Sequence, residues 1–181
     1  MENTGGRSIS MADLNTMYRI IVLYMLSRVE FPLTNTQITN FILEKDYTDY
    51  FTVQQAISDL LSSGLITAES THSNTRYRIT EDGDDTLQLF IDKISPEIRA
   101  DISAYFTEHH YDLRQEASVY ADYYKASGSG YSAHCVIKNL EQPVLDLTIT
   151  VPTKEQARSI CSNWENEHTE VYAVLMDHLL K

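Results

Sequence analysis

Ten side chains in the first half of the chain have the types and spacing to touch duplex DNA. Four of them, Gln54, Gln55, Ser58 and Ser62, lie in the stretch Thr52-Val-Gln-Gln-Ala-Ile-Ser-Asp-Leu-Leu-Ser-Ser. Within it Val53, Ala56, Ile57, Leu60 and Leu61 recur at i, i+3, i+4 and write one buried helical stripe. Removing that stripe leaves the four polar residues and Asp59 facing out. A glutamine amide can pair bidentately with adenine in the major groove, and a serine hydroxyl can meet many bases. Thr52 and Gln55 have the spacing of a capping box, which occupies part of Gln55 and makes Gln54 the better base reader. Thr34 and Asn35 open an earlier helix, whose first N–H groups suit a phosphate. Arg76 and Arg78 are two apart in an alternating run, so they share a face and suit the DNA backbone or minor groove. Asn74 and His72 lie in the turn just before. The outer helix face has no Lys or Arg, and its Gln and Ser residues also read as ordinary solvated surface.

Other chemistry is thinly represented. His109 and His110 are neighbours and point about 100° apart on a helix. His168 and His178 lack Cys or acid partners at metal-ligand spacing. The chain has no nucleophile elbow, P-loop or dinucleotide fingerprint. Ser127-Gly-Ser-Gly130 lies between strand-like runs and reads as a hairpin loop. Glu81, Asp82, Asp84 and Asp85 lack calcium-loop spacing and suit the first turn of a helix. No catalytic activity, cofactor or metal is therefore expected.

The elements that must position the ten residues follow from periodicity. Asp13 can cap a helix to about Val29, apolar nearly all round from Ile20 to Leu26. Such a helix is buried on several sides and predicts contact with a second domain or a second subunit. Thr34-Asn-Thr-Gln37 is a capping box opening a helix with Ile38, Phe41 and Ile42 inward. The next helix runs over about 52–63 and ends at Gly64, suited to a left-handed C-cap. A hairpin over 65–80 follows, and Thr80 caps a further helix bearing Leu87, Phe90, Ile91 and Ile94. Ser95-Pro96 restarts the chain as a helix N-terminus.

The remainder reads as three strands of period two, with Ala117–Tyr123, Ala133–Ile137 and Leu145–Val151 as the alternating runs. Thr153-Lys-Glu-Gln156 caps a helix presenting Ala157, Ile160, Cys161 and Trp164. Asn166–Thr169 interrupts it before a last amphipathic helix with Val171, Val174, Leu175, Leu179 and Leu180. Tyr120 and Tyr124 share the strand face opposite Tyr123, together with His134, and form a candidate dimer surface.

Ile57-Ser-Asp-Leu-Leu-Ser-Ser-Gly-Leu-Ile66 followed by Tyr77-Arg-Ile-Thr-Glu-Asp-Gly83 resembles the core of winged helix-turn-helix bacterial regulators of the PadR and MarR type. The whole chain is similar to an uncharacterised bacterial family that joins such a module to a small C-terminal domain. The resemblance implies an α+β protein: an N-terminal winged helix and a C-terminal three-stranded antiparallel meander with flanking helices. The polar start and the Ser95-Pro96 restart divide the chain into a flexible tail over 1–10, a DNA-binding-like domain over 11–94 and a dimerisation or sensing domain over 95–181. The resemblance also implies a homodimeric, cytoplasmic transcriptional regulator of double-stranded DNA, with helix 52–63 in the major groove and the wing on the backbone. A protein-interaction adaptor on the same scaffold, or a small-molecule sensor in the C-terminal domain, remains the alternative.

Charge bears on that choice. The 181 residues carry 14 basic and 26 acidic side chains, a formal net charge of -12. Residues 1–80 hold six basic and eight acidic groups, so the acid is concentrated in the second half. Phosphate neutralisation supplies most nonspecific DNA affinity, which counts against a strong binder. The longest apolar run, Ile20–Leu26, is too short to span a bilayer, and no secretion signal opens the chain. Cys135 and Cys161 then read as free buried thiols.

Overall fold

The computed structural model describes residues 11–139 and 142–180, with side chains from Leu14 onward. The tail expected over 1–10 and the Glu141 part of the expected turn lie outside the described residues; position 13, expected as the helix cap, falls inside a helix that already runs from Met11. The described chain is mixed α/β, with six α-helices and two small three-stranded antiparallel sheets. In order these are α1 (Met11–Ser27), β1 (Leu33–Thr34), α2 (Asn35–Glu44), α3 (Tyr50–Ser62), β2 (Ile66–Ser70), β3 (Thr75–Ile79), α4 (Glu81–Phe90), a 3-10 turn (Ile91–Lys93), α5 (Pro96–Ser118), β4 (Val119–Lys125), β5 (Tyr131–Asn139), β6 (Gln142–Val151) and α6 (Lys154–Leu179). None of the described helices is long and apolar enough to cross a membrane.

Two compact units divide the described residues: 11–69 with 76–109, and 70–75 with 110–180. The division falls inside α5, not at the Ser95-Pro96 restart. Ser95 does cap α5, accepting from the Ile98 N–H at 3.3 Å. The first half of α5, however, is bound into the first unit. The Tyr47 hydroxyl donates to Asp101 at 2.5 Å, Lys45 pairs with the same carboxylate, and Tyr105 packs on Phe41 with ring centroids 4.9 Å apart.

In the first unit α1 is the central rod. Ile21, Val22, Leu23 and Met25 have no exposed surface, and α3, α4 and the 3-10 turn pack around them. Most of the apolar girdle is thus covered within its own unit, with Tyr24 half-buried. The expected stripe of α3 is buried at Val53, Ala56, Ile57 and Leu60, whereas Leu61 lies at its margin, 36% exposed. The sheet has order β1-β3-β2. β1, two residues long and not foreseen, pairs Leu33 with Tyr77 and Thr34 with Arg76.

Gly64 and Gly83 join α3 to the ribbon and the ribbon to α4. Gly64 ends α3 at φ +70, the left-handed geometry that costs other residues energy. Thr80 caps α4 by accepting from the Gly83 N–H at 3.1 Å, while its hydroxyl donates to the Gly64 carbonyl at 2.9 Å. A Cβ on Gly83 would lie 2.0 Å from the Leu65 carbonyl oxygen.

In the second unit β4, β5 and β6 form an antiparallel meander, with a register shift between Ile137 and Lys138. α6 packs across one face. Trp164 is buried with Val119 and Cys135, and its indole N–H donates to the Val136 carbonyl at 3.4 Å. Tyr123, Ala133 and Ala157 form a neighbouring cluster that includes Cys161 at its margin. The two cysteines, far apart in sequence, are free thiols, Cys135 buried and Cys161 half-buried. Burial, aided by Cys161, pushes the Cys135 thiol up to about 12. α6 runs unbroken through Asn166–Thr169, contrary to the expected interruption; the His168 ring approaches the Trp164 and Glu165 carbonyls at 3.1 and 3.2 Å. Beyond Val171 the sheet ends beneath it, so Val174, Leu179 and Leu180 are exposed instead of buried.

The glycines give opposite signs from helix propensity. Gly→Ala within a helix ordinarily gains about 1 kcal/mol. Here Gly83→Ala should lose roughly 1–3 kcal/mol by overpacking against Leu65. Gly64→Ala, which meets no atom within 4 Å, should lose about 1–2 kcal/mol from backbone strain alone. Urea unfolding of the two variants measures both.

Candidate nucleic-acid interface

The amides expected to read DNA are divided between the interior and the surface of the first unit. Asn35, at the first position of α2, faces Gln54 on α3. The Asn35 Nδ2 donates to Gln54 Oε1 at 3.0 Å, and Gln54 Nε2 donates back to Asn35 Oδ1 at 3.1 Å. The pair extends to β3 and deeper into α2: Asn35 Nδ2 reaches the Tyr77 hydroxyl at 3.2 Å, and Gln54 Nε2 reaches Thr39 Oγ1 at 3.2 Å. Thr39 and Tyr77 are buried. Gln54 and Asn35 are half-buried, and their amides are engaged within the unit instead of turned outward. The cause is helical arithmetic: residue 54 lies three before Ile57, on the flank of the buried stripe that faces α2.

Thr34 is bound up as well. Its hydroxyl accepts from the Gln37 N–H at 3.1 Å while Gln37 Oε1 accepts from the Thr34 N–H at 2.8 Å, so the predicted capping box is present. The second box is not. Asp49 caps α3, accepting the Thr52 N–H at 3.0 Å and the Thr52 hydroxyl at 2.9 Å, so the helix starts two residues earlier than the sequence suggests. Those Thr52 bonds lead the forces that hold the Asp49 carboxyl below the usual range. Thr52 is a partner of the cap, and Gln55 bonds Asp59 at 2.7 Å instead.

What remains outward on α3 is Gln55, Ser58 and Ser62. Ser62 returns its hydroxyl to the Ser58 carbonyl at 2.9 Å. At the N-terminal end of this face stand Tyr50 and Phe51, 50% and 82% exposed, with ring centroids 5.9 Å apart. These two were not singled out in the sequence; they lie beyond the helix start inferred there, and the Asp49-x-x-Thr52 spacing was the available signal.

On the ribbon, Arg76 and Arg78 are half-buried, and Arg78 Nη1 donates to the Glu30 carbonyl at 3.1 Å. Asn74 closes the turn through its main chain, its carbonyl accepting from the Thr71 N–H at 2.8 Å. The loop 70–75 groups with the second unit. Its His72 ring stacks on Tyr123 with centroids 4.0 Å apart, its backbone N–H donates to Asp122 at 3.2 Å, and its Nδ1 bonds the same carboxylate. Burial alone would raise the Asp122 pKa, but the His72 and Tyr123 donors outweigh it and hold the carboxyl below its ordinary value. A lowered pKa means that this stabilisation is present above the ordinary carboxylate range and is lost as the pH falls through the lowered value. Among the described residues no group of three or more His, Cys, Asp or Glu could hold a metal ion.

Structural and outward roles separate by mutation. Gln54→Ala leaves a buried Thr39 hydroxyl and the Asn35 amide short of partners and should cost roughly 1–3 kcal/mol. Ser58→Ala, on the exposed face, should stay within about 0.5 kcal/mol of the parent. Thermal melts of both variants decide whether residue 54 belongs to the fold or to the surface.

No curated protein and no solved structure matches the chain. A family model does match, over residues 18–179, spanning both units. The chain belongs to the family described as Domain of unknown function (DUF4364).

Proposed function

We propose that the first unit is a winged helix that binds double-stranded DNA, and that the chain is a transcriptional regulator. The observation that carries this reading is the order α1-β1-α2-α3-β2-β3 with sheet order β1-β3-β2, which leaves α3 with an open polar face beside a two-stranded ribbon. A major groove about 12 Å wide admits one helix. The small residues Ser58 and Ser62 would let the α3 backbone approach base edges closely, with Gln55 as the amide reader. Arg76 and Arg78 would serve the phosphate backbone. Residues that the sequence assigned to base or phosphate contact, Asn35 and Gln54 above all, instead set the angle of α3. The role is one of binding, with no reaction assigned to the chain.

A second reading has its own observation. The outer face of α3 carries Asp49 and Asp59, no cation, and the exposed pair Tyr50 and Phe51. An apolar tip with acids around it suits a protein partner better than a phosphate backbone. On this reading the winged helix is an interaction adaptor.

Anisotropy titration of a labelled random duplex with the full chain separates the two. DNA binding predicts association at about 10 μM or tighter in low salt, weakening steeply as salt rises. Ser58→Glu should then weaken it at least roughly tenfold, because a carboxylate enters the groove. Phe51→Ser should leave it nearly intact. Absence of any anisotropy change in low salt would remove the DNA reading and leave the adaptor.

A further inference from the structure

The sheet of the second unit has two edges, and they are treated differently. β4 is met midway by the 70–75 loop, whose His72 stacks on the Tyr123 ring and donates its backbone N–H to the Asp122 carboxylate. β6 has β5 on one side and, among the described residues, no strand on the other. It is the longest described strand, at 10 residues, and most of its residues are exposed. Exposed edges are usually blunted by lysine, inward charge or bulges. β6 confines such devices to its start, where Pro143 lies and Val144 is left over at the register shift; from Leu145 to Val151 it pairs regularly with β5 and has one charge, Asp146, already bonded at 2.8 Å to His134 of β5.

We propose that β6 is a dimerisation strand: two copies of the chain pair antiparallel through their β6 edges about a two-fold axis at Leu147, joining two meanders into one six-stranded sheet. This goes beyond the DNA reading and does not rest on it.

Symmetry and charge select both the partner and the register. A strand that pairs antiparallel with itself makes an isologous contact that closes at two copies. Like faces must meet, so the axis passes through a residue. An axis at Asp146 would set two carboxylates directly opposite each other in a chain of net charge -12. Moving it to Leu147 places Asp146 opposite the partner's Thr148, a hydroxyl. It also sets Leu145, Leu147 and Ile149 opposite the partner's Ile149, Leu147 and Leu145 on the face that α6 only partly covers. Ile149 is 37% exposed in one copy and Val144 48%, so both have surface to bury. An axis at Thr148 would shorten the overlap. Tyr120 and Tyr124, the surface suggested by the sequence, lie on β4 at the far side of the sheet. Tyr120 there packs edge-on against His134, centroids 5.8 Å apart.

The test reads the dimer constant of the full chain without DNA, by sedimentation velocity over a wide concentration range. Thr148 is exposed, so its substitution leaves the fold in place, as melts will verify. Thr148→Lys faces the partner's Asp146 and should tighten the dimer. Thr148→Glu faces the same carboxylate and should weaken it. Each contact occurs twice, so a shift of roughly tenfold in each direction is expected, smaller at high salt. Adding Asp146→Lys to Thr148→Glu should restore pairing. A chain that stays monomeric, or a dimer that responds alike to both charges at position 148, overturns the proposal.

Discussion

The first unit turns on a small amide lock. Asn35 and Gln54 exchange two hydrogen bonds, and each spends a further donor on a buried hydroxyl, of Tyr77 and Thr39 respectively. Three elements meet there: the start of α2, the second turn of α3, and the middle of β3. Hydrophobic burial of Val53, Ile57 and Leu60 would press α3 against α1 at many rotations. Directional bonds between fully used amides admit few, and polar networks that are satisfied in a low-dielectric surrounding hold geometry firmly. The lock therefore fixes how far α3 rolls, and with it which residues face outward.

The ends of α3 follow the same logic of competing local options. Thr52 and Asp49 are both good caps, three residues apart. The Asp49 carboxylate accepts both the N–H and the hydroxyl of Thr52, two charge-assisted bonds, whereas a Thr52 box would have relied on the neutral side chains of Thr52 and Gln55. The choice adds Tyr50, Phe51 and Thr52 to the helix and leaves Tyr50 and Phe51 exposed. A cap selection worth about 1 kcal/mol thus decides whether the leading edge of the helix is polar or aromatic.

Much of this was legible in the sequence because it is local. The stripe of α3, the boxes at Thr34 and Thr153 and the glycine after α3 rest on neighbours within four residues, and they stand where the local signals put them; β5 and β6 are strands as expected, although β5 is buried on both faces at Ser132, Ala133, Cys135 and Val136. What was not legible depends on distant partners. Gln54 looked like a surface residue because Asn35 is 19 positions away. The unit boundary looked like Ser95-Pro96 because nothing in that cap announces that Tyr47 and Asp101 will bond across 54 residues. β1 is too short for a period to register, and the continuity of α6 reflects Trp164 anchoring a helix longer than the sheet beneath it.

The second unit shows what a three-stranded sheet leaves unresolved. One helix covers one face, and α6 sits over β4 and β5 more than over β6. The alternation that made β6 easy to recognise, with Leu145, Leu147, Ile149 and Val151 on one side, is the alternation of a strand packed on that side by something. Within one chain that cover is partial. At β4 the 70–75 loop meets the sheet through His72, which stacks on the Tyr123 ring and bonds the Asp122 carboxylate. With one charge along its ten residues, and regular pairing from Leu145 to Val151, β6 offers the edge that the pairing proposed above would continue.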